Sequence, residues 1–224
     1  MSTLSTLLST HSLFHSLDAE DITLLVNSSL ERQFQKGAAI TYAGDIWPYF
    51  FIVTDGTIEA LKISQEGRNL LVGIFNSGDV FWGLAFFREG EPMPVTLQAS
   101  AASKVNIWST EILQPIIVRN GRFAWELSRV MVDNMIRASS IVDGLAFQPV
   151  AGRVAQFLLE NYPSDQQNLP RNLTLAEMAS RTGTTREMVC RFLQKFADNG
   201  AIDITRTEFS ITNRQKLENI ANKN

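Results

Sequence analysis

The 224-residue chain is 45% hydrophobic with a formal net charge of −3, enough apolar material for two domain cores. Its longest apolar run, Val80 to Phe87, falls well short of the roughly 20 residues of a membrane-spanning helix, and its first basic residue is Arg32, so the charged start of a secretory signal is missing and a cytoplasmic protein is expected. The single cysteine, Cys190, excludes an internal disulfide and a four-cysteine iron–sulfur cluster built within one chain.

In residues 1–29, Leu7, Leu8, Leu13, Phe14 and Leu17 precede Asp18, and Ile22, Leu24, Leu25 and Val26 follow it. Short helices are expected there, with Asp18 as an N-cap. His11 and His15 are the only histidines and lie four apart, a spacing that on a helix turns both toward one metal or haem. Incidental surface histidines are the simpler reading. From Leu30 to Ser109 the chain becomes short runs rich in Phe, Ile, Val and Thr, with Gly37, Gly44, Gly56, Gly67 and Gly78 between them. Glycines at intervals of 7, 12, 11 and 11 residues are turn signals of a β-barrel or sandwich. Such a roll encloses a small pocket.

Thr110 and Glu111 open a short helix, and a longer one follows Gly121 as far as Phe147. Leu127, Met131, Asn134, Ala138, Ile141 and Leu145 recur along it at alternating four- and three-residue steps, which predicts a dimer seam whose Asn134 sets register. A stripe packed only on the roll is the alternative. Asp143, Gly144 and the Phe147-Gln148-Pro149 segment predict a break and a hinge. The expected organisation is residues 1–120 as a β-roll domain, 121–146 as a dimerisation helix and 147–224 as a C-terminal domain.

Beyond a supporting helix from Val150 and a polar loop, Thr174 and Glu177 form a T-x-x-E capping box. Leu175, Met178 and Ala179 are its buried stripe, and Gly183 supplies the turn that ends the helix. Thr184 and Glu187 repeat the capping signature, predicting a second helix and hence a helix-turn-helix. Val189, Phe192, Leu193 and Phe196 form its core face. Arg186, Glu187 and Arg191 fall at about 0, 100 and 140 degrees on a helical projection and share the outward face. An arginine there donates to O6 and N7 of guanine and a glutamate accepts from N4 of cytosine. Mixed charges on a solvated face are the bland alternative. Cys190 is expected to be a small space-filling residue. Two alternating runs, 201–207 and 208–213, suggest a wing whose Arg206 reaches a phosphate. Residues 148–224 carry 10 basic and 8 acidic groups against 10 and 15 in residues 1–147, which supports double-stranded DNA as the partner without establishing it.

The Arg186, Glu187, Arg191 pattern, R-E-x-x-x-R, resembles the recognition unit of the cyclic-AMP receptor protein and FNR family of bacterial transcription regulators. The resemblance extends over nearly the whole chain and implies an α+β protein. It would comprise an N-terminal double-stranded β-helix (a cyclic-nucleotide-binding-like jelly roll), a long dimerisation helix and a C-terminal winged helix-turn-helix. It further implies a homodimer on a palindromic operator with TGTGA-like half-sites, Thr184, Thr185 and Arg206 as further DNA contacts, and RNA polymerase as a partner if the protein is an activator.

The roll departs from the family's cyclic-AMP pattern. Where that pattern has a glycine and a ribose-binding glutamate stand Trp82 and Gly83, and where it has a phosphate-binding arginine and serine stand Met93 and Pro94. The adenine-contacting threonine and serine align with Ala138 and Ser139. A cyclic phosphate buried without a cation would cost several kcal/mol, so a non-cyclic-nucleotide effector is expected, in an apolar pocket with Phe81, Trp82, Gly83, Phe86, Phe87, Met93, Ala138 and Ser139. Side chains filling the roll, and an effector-independent regulator, are the alternative. A haem-based gas sensor and a cupin-like metal enzyme rank lower, because His11 and His15 precede the barrel and no nucleophile elbow, phosphate loop or zinc-protease motif is present. No cofactor, metal or membrane partner is expected.

Overall fold

The computed structural model describes residues 3–162, 169–170, 173–205 and 208–222. In chain order, helices α1 (Thr3–Thr10) and α2 (Ala19–Ser28) precede strands β1 (Leu30–Phe34), β2 (Ala39–Thr41), β3 (Tyr49–Asp55), β4 (Thr57–Ile63), β5 (Asn69–Asn76) and β6 (Val80–Trp82). A single turn, α3 (Leu84–Phe87), leads into β7 (Thr96–Ala99) and β8 (Ser103–Ser109), then α4 (Thr110–Arg119), the 27-residue α5 (Gly121–Phe147) and α6 (Val150–Asn161). The chain ends with β9 (Leu169–Pro170), α7 (Leu175–Thr182), α8 (Arg186–Asp198), β10 (Ile202–Ile204), β11 (Glu208–Ile211) and α9 (Arg214–Ala221). Two compact units result: residues 1–62 with 72–137, and residues 63–71 with 138–224, so the division falls inside α5.

The first unit holds two four-stranded sheets, β1-β8-β3-β6 and β2-β7-β4-β5, with antiparallel pairing. Its tight turns follow the glycines. Gly56, between β3 and β4, has φ +80, and a Cβ there would collide with the Ala102 carbonyl, so only glycine serves. Because strand side chains alternate, β3 feeds two cores. Phe51 and Val53 face the roll interior with Ile58, Phe75, Met93, Leu97 and Val105. Phe50 and Ile52 face the helical side with Leu8, Phe14, Leu25, Trp108, Leu113, Ile116, Phe123 and Leu127. Each such fully buried side chain contributes roughly 1.5–3 kcal/mol. Trp108 also donates its indole N–H to the Leu25 carbonyl at 2.8 Å, and the buried Asp21 carboxylate pairs with Arg119, tying α2 to α4.

Asp18 caps α2 as expected, its carboxylate accepting from the Asp21 amide at 2.8 Å. The shared helix behind the metal-or-haem alternative for the two histidines does not form. α1 ends at Thr10, so His11 and His15 occupy a turn rather than a shared helix, the first half-buried and the second exposed. The His11 ring is saturated: Nε2 donates to the Gly78 carbonyl at 2.8 Å and Nδ1 accepts from the Leu13 amide at 3.1 Å, leaving neither nitrogen for haem or metal. Desolvation holds its pKa below the ordinary value, against the opposing pull of the Gly78 carbonyl and Asp79. A base with a depressed folded-state pKa is protonated more readily when unfolded, so its contribution is complete above about pH 6.5 and lost on acidification through the folded pKa. The melting temperature should therefore decline between pH 7.5 and 5, and His11→Gln should flatten that decline; identical pH profiles for the two proteins would contradict this.

The second unit is a helical core of Val154, Ala155, Leu158, Met178, Val189, Leu193, Phe196 and Leu217 beside a small sheet, β10-β11-β9. The wing strands β10 and β11 pair antiparallel from Ile202↔Ile211 to Ile204↔Phe209. Leu169 and Pro170, read in the sequence as loop, add a third strand by pairing with Phe209 and Glu208.

Candidate nucleic-acid interface

Local capping positions the two helices of the motif. The Thr174 hydroxyl accepts from the Glu177 amide at 3.2 Å while the Glu177 carboxylate accepts from the Thr174 amide at 2.7 Å, the reciprocal box that satisfies two orphan donors. Gly183 closes α7 in the left-handed region at φ 62, its N–H donating to Ala179. The second box is corrected. Thr185, one residue later than Thr184, is the N-cap of α8, and its hydroxyl accepts from the Met188 amide at 3.3 Å. The Thr184 amide instead joins the turn, donating to the Ala179 carbonyl. Glu187 is thereby displaced from the reciprocal capping position into the first turn of α8.

On α8, Val189, Leu193 and Phe196 are buried and Phe192 is partly so, while Arg186, Glu187 and Arg191 are all exposed. Hydrogen bonding to its own amide, and then to the Thr185 hydroxyl, with Arg186 adding its charge, holds the Glu187 carboxyl below the usual carboxylate range. It is an acceptor only. The Arg191 guanidinium donates to Met188 Sδ at 2.8 Å and lies 5.6 Å from the Phe192 ring centroid. Cys190 is exposed too, so it fills no core space; it lies on the Arg186 side of this face. Thr184 and Thr185 are half-buried beside these residues, and Arg206 lies outside the described residues.

One residue escaped the sequence reading. Arg153 on α6 donates from Nε to the Thr182 carbonyl at 2.8 Å, from Nη1 to the carbonyls of Gln148 at 2.6 Å and Gly144 at 3.4 Å, and from Nη2 to that of Gly183 at 3.3 Å. Burial lowers its pKa from the ordinary arginine value. The signal was a cation near Phe157 on the apolar side of α6, where a charge needs a partner. The segment expected to be a hinge is tied down as well. α5 stays helical through Phe147, the Gln148 amide donates to Gly144, and the Gln148 side chain donates to the Ala221 carbonyl at 3.0 Å.

Four of the expected pocket aromatics form one chain of ring contacts, Phe81 to Trp82 at 6.1 Å, Trp82 to Phe87 at 5.9 Å and Phe87 to Phe86 at 4.8 Å. Met93 lies in the roll interior, with Phe81 packed against that cluster. Trp82 and Phe86 belong to the opposite, helix-facing core, where Trp82 stacks on Phe50 at 5.9 Å. Phe87 is exposed, as are Ala138 and Ser139 on α5. Phe81 and Trp82 pack against different cores, although their rings stack on one another at 6.1 Å. Gly83 admits no side chain, since a Cβ there would collide with the Trp47 carbonyl oxygen. Pro94 is exposed beside the buried Met93.

The α5 seam is likewise corrected. Leu127 is buried and Met131 packs against the first unit's helical core; Asn134 and Ile141 are half-buried, and Ala138 and Leu145 exposed. An outward, mostly apolar stripe runs about 100 degrees round the helix from that seam: Trp125, Ser128, Val132, Met135, Ser139 and Val142, spaced 3, 4, 3, 4 and 3, are all exposed. This is also a heptad seam.

Two family models match the chain, a cyclic nucleotide-binding domain over residues 31–120 and a Crp-like helix-turn-helix domain over residues 152–220. The chain is 28% identical over 182 residues to the cAMP-activated global transcriptional regulator Vfr of Pseudomonas aeruginosa, spanning 77% of this chain and 85% of that one. It is 26% identical over 218 residues to the cyclic AMP receptor protein of Thermus thermophilus, spanning 93% and 96%. Among solved structures, the c-di-GMP responsive global regulator CLP of Xanthomonas campestris superposes with a TM-score of 0.75 at 22% identity, over 87% of this chain and 99% of that one. A CRP/FNR-family regulator of Thermus thermophilus does so at 0.64 and 21%, over 87% and 99%. The structural likenesses show a shared fold: β-roll, long helix and C-terminal helix-turn-helix.

Proposed function

Because the chain belongs to the cyclic-AMP receptor protein and FNR family of transcription regulators, we propose that it is a non-enzymatic, sequence-specific DNA-binding protein acting as a homodimer on a palindrome with TGTGA-like half-sites. The exposed Arg186, Glu187 and Arg191 on the outer face of α8 carry the reading. Arg186 and Arg191 donate to guanine and Glu187 accepts from cytosine, while Thr184, Thr185 and Arg206 meet the backbone. The Thr185 hydroxyl oxygen already caps α8 and its O–H faces the Glu187 carboxylate, which leaves a phosphate contact to the Thr185 backbone N–H. As an activator the protein would also touch RNA polymerase.

The apolar stripe on α5 supports the dimer, because six exposed heptad positions with Trp125, Val132 and Met135 among them need cover from water. Val132→Glu should yield a monomer by sedimentation and weaken operator binding on the order of 100-fold or more, since the second half-site would no longer be engaged intramolecularly. A stable Val132→Glu dimer would remove the stripe from the interface.

The roll reads best as not taking a cyclic nucleotide: its ribose position, Gly83, excludes a side chain, and its phosphate positions hold a buried Met93 and a proline. A non-nucleotide effector would have to be apolar. Buried apolar side chains in the roll interior, with Phe51, Phe75 and Met93 each at most 5% exposed, are also compatible with the second reading, a regulator that needs no effector. Selection of bound DNA from random duplexes with and without cyclic AMP tests both parts: a TGTGA-like palindrome is expected, with no change in affinity on adding the nucleotide. A nucleotide-dependent gain would overturn the pocket reading.

A further inference from the structure

Among the described residues the guanidinium of Arg153 has no carboxylate hydrogen-bond partner; its four partners there are backbone carbonyls, and they come from two helix ends. Gly144 and Gln148 are the last-turn and flanking residues of α5, which ends at Phe147; Thr182 and Gly183 are the last residue and C-cap of α7. The final carbonyls of a helix carry the negative end of its dipole and mostly lack intrahelical donors, although the Gly144 carbonyl also accepts from the Gln148 amide. One planar cation with five donors thus caps two such ends together, and the dipoles stand in for the missing counter-charge. Apolar packing reinforces the joint: the Leu145 side chain lies so close to Gly183 that a Cβ there would collide with it. Gly183 opens the turn from which Thr185 starts α8.

We propose that Arg153 is a positioning residue for DNA recognition: by clamping the C-terminal turn of α5 to the turn of the helix-turn-helix, it sets the orientation of α8 and makes that helix follow α5. The inference rests on the reading of α8 as the base-reading helix. Lysine keeps the charge but offers a compact ammonium in place of the planar fork, so it cannot hold both carbonyl pairs.

The full-length wild-type protein, Arg153→Lys and Arg153→Met are to be compared on the duplex that wild type selects from random sequence and on a scrambled duplex, well below the melting temperature of each. Arg153→Lys should remain folded by circular dichroism, bind the selected duplex at least tenfold more weakly and bind the scrambled duplex as wild type does, collapsing the specific-to-nonspecific ratio. Arg153→Met should do the same or melt lower. A merely structural role would lower both affinities in proportion to the unfolded fraction and leave the ratio intact, and that result overturns the proposal, as does a folded Arg153→Lys with a wild-type ratio. Wild type that selects no sequence would instead refute the DNA reading, and this inference with it.

Discussion

Replacing Glu187 by alanine is expected to relax the choice of base at one position of each half-site, with affinity for the selected duplex falling about 5- to 150-fold per half-site, the span of roughly 1–3 kcal/mol for a good base contact. Arg186→Ala and Arg191→Ala should have losses of similar size at guanine positions. The three side chains should differ in their salt dependence. Glu187 contacts no phosphate in this reading, so its removal should leave the affinity for scrambled DNA and the slope against log salt unchanged. The preference set by Glu187 should also persist from about pH 5 to 8, because its own amide and the Thr185 hydroxyl keep the carboxyl ionised below the ordinary range. A Glu187→Ala protein that selects the same sequence with the same stringency would remove α8 from the role of reader, leaving the charges as a solvated face.

The largest stability effect is expected at Phe50. It is fully buried in β3, pairs across the sheet with Trp82 and Trp108, and has ring centroids of Phe14, Trp82, Phe86 and Trp108 within 6.4 Å. Truncation to alanine would leave a cavity lined by four aromatic rings that cannot collapse into it, for a cost of about 3–5 kcal/mol. At about 2–4 °C per kcal/mol for a chain of this size, the first unit should melt roughly 6–20 °C lower. Tyr49→Ala, at the neighbouring but exposed position, should stay within about 0.5 kcal/mol of wild type. If the two variants melted alike, the assignment of Phe50 to the core centre would be wrong.

Much of this protein is written locally. The capping box of Thr174 and Glu177, the left-handed Gly183 and the Asp18 cap each involve atoms a few residues apart, so residue type and spacing determine them before any long-range contact forms. The same holds for the β-strand alternation, the glycine-marked turns and the outward grouping of Arg186, Glu187 and Arg191. Even here a one-residue ambiguity survived, because Thr184 and Thr185 are both good caps and only the geometry of the preceding turn selects the second.

What tertiary structure alone decided is where each apolar face goes. α5 carries two heptad stripes about 100 degrees apart, one from Leu127 and one from Trp125, and periodicity scores both alike; the N-terminal segment, α2 and α4, packing around Phe123 and Leu127, determine which one turns inward. Phe81 and Trp82 are consecutive aromatics in one strand, yet the roll takes one and the helical layer the other, so the aromatic cluster they form with Phe86 and Phe87 straddles two cores where composition suggested one pocket. The partners of Arg153 are not legible in sequence because they are carbonyls, which every residue has, brought together from two helix ends 38 residues apart between Gly144 and Thr182. Side-chain chemistry is local and legible; the meeting of distant backbone groups depends on the packing of the whole unit.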